Sequence, residues 1–219
     1  HDVVEKVLMA IYAGGHVLLE DVPGVGKTTL ALALSKALGL DYKRVQFTPD
    51  TMPSDITGFT MYDRDADEFR FNWGAVNCNL LLADEINRTS AKTQAALLEV
   101  MEELSVTVDG ITHQVPRPFV CIATENPVGS AGTQPLPESQ MDRFMVRLSV
   151  GYPSTADQID ILKAKRYANP LDDIQAKVTR DDLLEIQNFL GNVQVTDSVL
   201  EYIVRLCEHT REIDLVELG

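Results

Sequence analysis

Cysteine, tryptophan and positive charge are all scarce in this 219-residue sequence, and each scarcity excludes something. Cys78, Cys121 and Cys207 lie far apart in apolar surroundings, so they suit buried, reduced thiols better than a disulfide framework or a zinc site. His1, His16, His113 and His209 have no second ligand at metal spacing. Nineteen lysines and arginines face thirty-three acids, a formal charge of -14, and no basic run relieves it, which argues against a nucleic-acid partner. No apolar stretch is long enough to span a bilayer and no charged, then apolar, leader opens the chain, so the expected location is the cytoplasm without direct membrane insertion. A first residue other than Met and an abrupt close at Gly219 suggest a piece of a longer chain.

What remains is an ordinary globular composition, 45% hydrophobic and 24% charged. Val4, Val7, Leu8 and Ile11 share one helix face ahead of Gly14-Gly15. The run His16-Val17-Leu18-Leu19 then reads as a strand leading to a Gly-rich loop, with a helix from Thr29 to Leu38. Further strands are predicted at Arg44 to Phe47, Leu80 to Ala83, Phe119 to Thr124 and Phe144 to Val150, and a helix at Ser90 to Glu103. Apolar runs without polar alternation are those of parallel strands covered on both faces, which gives an α/β sandwich around a five-stranded parallel sheet.

Two insertions interrupt the alternation. Residues 50–73 read as short strands and turns, and residues 106–116 as a hairpin around Asp109-Gly110. Beyond Tyr152 only helices are predicted, at Thr155 to Tyr167, Thr179 to Leu190 and Thr196 to Glu208. The domains are therefore 1–151, an α/β core, and 152–219, a small all-α lid.

The chemistry concentrates at strand ends. Gly24 and Gly26 free backbone N–H groups to converge on an anion, Lys27 can span outer phosphates, and Thr28 can ligate magnesium. The full consensus asks for glycine five residues before Gly26, where this chain has Asp21. Downstream, Leu80-Leu81-Leu82-Ala83 delivers Asp84 and Glu85 to the carboxyl edge of the sheet, the first suited to a magnesium shell and the second to polarising water. Asn126 follows the next buried strand and can point its amide at the same edge; the plainer reading is a turn residue before Pro127. Arg143 can reach a transferring phosphate of a neighbouring subunit, or simply pair with Asp142 or Glu138.

In order, Glu20 to Thr28, Leu81 to Arg88, Thr124 to Pro127 and Leu136 to Phe144 resemble the Walker A, Walker B, sensor-one and arginine-finger segments of the AAA+ P-loop ATPases, and more narrowly those of the MoxR family. The resemblance covers essentially the whole chain. It makes Asp21 an ordinary variant of the loop and Glu125 a departure from the family's usual Gln. It implies an ATP/ADP site at Pro23, Gly24, Val25, Gly26, Lys27, Thr28, Thr29 and Asp84, with magnesium on Thr28 and Asp84 and catalysis by Lys27, Glu85, Asn126 and Arg143. It also implies a homo-oligomeric ring, a hexamer, acting on protein clients that often contain von Willebrand factor A domains. Residues 50–73 become a helix-two insert and 106–116 a pre-sensor hairpin, both facing the pore or a client, and a sensor-two arginine is expected past Gly219. Two other readings stay open: a magnesium chelatase-type or nucleic-acid motor, and a nucleotide-gated scaffold without turnover.

Overall fold

In the computed structural model, which describes residues 2–126, 136–167 and 170–213, apolar alternation sorts the strands' side chains between two layers. The strands are β1 (Val17–Glu20), β2 (Tyr42–Gln46), β5 (Leu80–Asp84), β8 (Val120–Glu125) and β9 (Val146–Leu148). They form one parallel sheet in the order β2-β5-β8-β1-β9. Because successive residues of a strand point to opposite faces, Leu81, Ala83, Cys121 and Ala123 enter one core cluster, while Leu80, Leu82, Val120 and Ile122 enter the other. The first is covered by Leu97, Leu98 and Met101 of α4 (Ala91–Glu103), the second by Val7 and Ile11 of α1 (Asp2–Tyr12) and Ala31 and Leu34 of α2 (Lys27–Ala37). The chain is thus a five-stranded parallel sheet sandwiched by helices.

Residues 53–73 contain more helix than the sequence suggests. Pro53 opens the short α3 (Pro53–Thr57), and the Asp55 carboxylate reaches back to accept from the Met52 N–H at 2.8 Å, capping the first turn. The hairpin β3 (Gly58–Asp63) and β4 (Glu68–Trp73) follows. A second hairpin, β6 (Ser105–Val108) and β7 (Ile111–Gln114), turns at Asp109 and Gly110, with φ 51° and 78°, the doubly left-handed turn that matches strand twist. The two hairpins meet where His113 stacks on Phe71 at 3.9 Å.

Beyond β9 come α6 (Thr155–Tyr167), α7 (Arg180–Leu190) and α8 (Asp197–Thr210). By contacts the chain divides into His1–Gln187 and Asn188–Gly219, so α6 and most of α7 fall with the sheet. The reason is packing: Leu183 is fully buried in the second core cluster, and the Gln187 side chain donates to the Ile11 carbonyl at 2.9 Å. On α8, Cys207 is exposed, not buried as its apolar neighbours in sequence suggest. No helix among the described residues is long and apolar enough to cross a membrane.

Candidate nucleotide site

Strand register brings the polar residues to one edge. Gln46 lies level with Asp84, and Glu20 with Glu125, at the carboxyl ends of neighbouring strands. The loop from Asp21 to Gly26 leaves β1 there and turns into α2, passing Gly24 and Gly26 at φ 90° and 94°. Side chains are rarely tolerated at such angles, yet a Cβ on either glycine would meet nothing within 4 Å. The loop therefore presents open backbone, and the first-turn N–H groups of α2 have no intrahelical acceptor. Together these form an anion cradle.

Asp21 explains its own departure from the generic consensus. Its carboxylate accepts from the Gly151 N–H at 2.6 Å, the Ser149 hydroxyl at 3.1 Å and the Val22 N–H at 3.0 Å. Burial pushes its pKa up, but these hydrogen bonds outweigh burial and hold it below the ordinary carboxylate value. The start of the loop is thereby tied to the segment after β9.

A cavity of about 370 Å³ is lined by Pro23, Gly24, Gly26, Lys27, Thr28, Thr29, Arg44, Gln46, Asp84, Glu85 and Asn126. Lys27 Nζ donates to the carbonyls of Asp21 at 2.6 Å and Glu125 at 3.4 Å. Burial lowers the Lys27 pKa, while Asp21, Asp84 and Glu85 oppose the shift. The Asp84 carboxylate is divided: Oδ1 accepts from the Thr124 hydroxyl at 2.7 Å, and Oδ2 takes Arg44 at 2.7 Å and 3.2 Å. Glu85 sits at φ 57°, a conformation costly for a non-glycine residue. Its N–H is held by the Thr124 hydroxyl at 2.9 Å, and its Oε2 accepts from Gln46 at 2.9 Å and Arg88 at 2.7 Å. The Asn126 carbonyl accepts from the Asn87 amide at 3.2 Å. An oxygen of Asp84 and the Thr28 hydroxyl in one cavity are the hard donors magnesium prefers, so these residues fit both a nucleotide and its metal.

Val25 and Arg143 do not line this cavity. Arg143 follows α5 (Glu138–Met141) and borders a separate hollow with Met101, Glu102 and Asp142. Its guanidinium donates to Glu102 Oε2 at 3.0 Å and to the Ser139 carbonyl at 3.2 Å, so its partner is neither Asp142 nor Glu138. Arg44 and Gln46 are the lining residues that sequence reasoning passes over. Two polar residues at i and i+2 near the end of a strand are the signal that marks them, since they share a face.

A parallel α/β sandwich with a glycine-rich cradle, a lysine and an acid pair at the carboxyl edge defines a P-loop nucleotide-binding protein. Residues 16–146 match the ATPase family associated with various cellular activities (AAA). The chain is 49% identical over its whole length to the uncharacterized protein YeaC of Bacillus subtilis, spanning 68% of it. It is 43% identical over 95% of its length to the chaperone MoxR1 of Mycobacterium tuberculosis, spanning 55% of that protein. A crystal structure assigned as an ATPase, from Cytophaga hutchinsonii, superposes with a TM-score of 0.86 at 40% identity, over 95% of this chain and 63% of the other. The chain belongs to the MoxR family of AAA+ ATPases.

Proposed function

We propose that this chain hydrolyses ATP with magnesium and uses the cycle to remodel partner proteins. The observation that carries the reading is the single cavity that gathers the P-loop backbone, Lys27, Thr28, Asp84, Glu85 and Asn126. Pro23 to Thr29 embrace the phosphates, Val25 by its backbone, and Lys27 leaves the carbonyls it now satisfies to bridge the β- and γ-phosphates. Thr28 and Asp84 hold magnesium, which neutralises charge on the phosphate oxygens. Glu85 polarises a water whose oxygen attacks the γ-phosphorus as the bond to ADP breaks, and Asn126 steadies that water.

Arg143 completes the site of the next subunit in a homo-oligomeric ring, a hexamer. Residues 152–219 act as the helical lid, and the hairpins of residues 58–73 and 105–114 meet clients, including von Willebrand factor A domain proteins, in the cytoplasm. The test is phosphate release at matched protein concentration and oligomer size. Lys27→Ala should abolish ATP binding. Arg143→Ala should keep binding and lose turnover by roughly a thousandfold. Equal turnover in all three proteins would overturn the reading.

A further inference from the structure

Among the described residues Arg44 is the one guanidinium lining the cavity, and it occupies a position a metal ion would need. With Asp84 Oδ1 committed to Thr124 at 2.7 Å, Oδ2 is the oxygen turned to the cavity, and Arg44 reaches it through both Nε and Nη2. The Asp84 side chain is 12% exposed against 44% for Arg44, so the acid is fixed and the arginine has room to swing. The same Nη2 donates to Gln46 Oε1 at 2.7 Å, and the Gln46 amide goes on to Glu85 at 2.9 Å. One arginine thus neutralises the first acid directly and braces the second through Gln46. Arg44 and Gln46 alternate with Val45 on β2, the sheet's edge strand beside β5, which places both heads on the cavity side.

Resting on the nucleotide-binding reading above, we propose that Arg44 is the resident counter-charge of Asp84: it holds Oδ2 and offsets the acid's repulsion of the nucleotide phosphates until magnesium displaces it. Oδ2 already accepts from both Nε and Nη2 of Arg44, so both of its lone pairs are taken; a magnesium ion at the same oxygen would need one of them and would repel the guanidinium, so magnesium binding loosens Arg44. Arg44 is accordingly a positioning residue that opposes magnesium at Asp84 and favours nucleotide when magnesium is absent.

The two effects have opposite signs, which makes the proposal testable by binding alone. ATP affinity is measured calorimetrically in EDTA and across a magnesium titration for wild type, Arg44→Ala, Arg44→Lys and Lys27→Ala. Arg44→Ala should weaken magnesium-free ATP binding by roughly tenfold, because Asp84 is then left uncompensated beside the phosphates. It should also lower the magnesium concentration for half-maximal tightening by about threefold or more, because the competitor is gone. Arg44→Lys, which keeps the charge without the two-point grip, should fall between. Unchanged values in Arg44→Ala, or a higher magnesium requirement, would overturn the proposal, since an arginine that merely braces Asp84 would raise it. Equal ATP binding by wild type and Lys27→Ala would instead overturn the nucleotide reading itself, so the two failures are distinguishable.

Discussion

Replacing His16 with alanine tests how the sheet and the arginine-bearing segment are joined. The imidazole is 6% exposed and bridges two elements: Nε2 meets the Met101 carbonyl at 3.0 Å, and Nδ1 accepts from the Cys121 N–H at 3.1 Å. Its own carbonyl accepts from Met145 at 2.9 Å, and Met101 precedes Glu102, the partner of Arg143. His16→Ala strands a buried donor and a buried acceptor, each costing about 1–3 kcal/mol. The expected loss of unfolding free energy is therefore about 3 kcal/mol at pH 8.

The pH dependence has a definite sign. Burial holds the His16 pKa below its ordinary 6.5, with the hydrogen bond to Met101 partly opposing. The unfolded chain then takes up the proton first as pH falls. The His16 contribution is thus whole above about pH 6.5 and is lost as pH falls toward the folded-state pKa. Urea unfolding followed by circular dichroism should show the gap between wild type and variant narrowing from pH 8 to pH 5.5. A gap that stays constant with pH, or a loss at pH 8 below about 0.5 kcal/mol, the usual range of surface substitutions, would refute the reasoning.

Three further outcomes follow from the same packing. Burial, with Glu20 nearby, raises the Glu125 pKa despite the opposing Leu136 N–H and Arg147, so the carboxyl's stability contribution is present below the ordinary glutamate value and lost as pH rises through the folded pKa; Glu125→Gln should therefore raise the melting temperature at pH 7.5 and have a smaller effect at pH 4. Gly26→Ala meets no atoms but must hold φ 94°, so equilibrium unfolding should show a loss of about 1–2 kcal/mol and calorimetry weaker ATP binding. Leu183→Ala, at a fully buried position, should cost about 2–5 kcal/mol in the same unfolding assay.

The sheet was legible because parallel strands buried on both faces must be apolar without alternation, and Leu80 to Ala83 and Val120 to Ala123 are. Asp109-Gly110 announced its hairpin for an equally local reason, the left-handed turn. The last strand is shorter than its apolar run, because the Phe144 N–H closes the α5 turn onto Met141 while Ser149 and Gly151 are drawn to Asp21. The phosphate loop and acid pair have fixed spacing and could be read directly. Arg44 with Asp84, and Glu102 with Arg143, are pairs across distant elements, set by register and packing, and such pairs leave no spacing to read.

The central claim, that this cavity is where ATP is bound and cleaved, is tested most directly by Glu85→Gln at matched oligomer size, following ATP binding and phosphate release in one sample. The account predicts ATP affinity near that of wild type with phosphate release reduced by roughly a hundredfold or more. Phosphate release equal to wild type would contradict it.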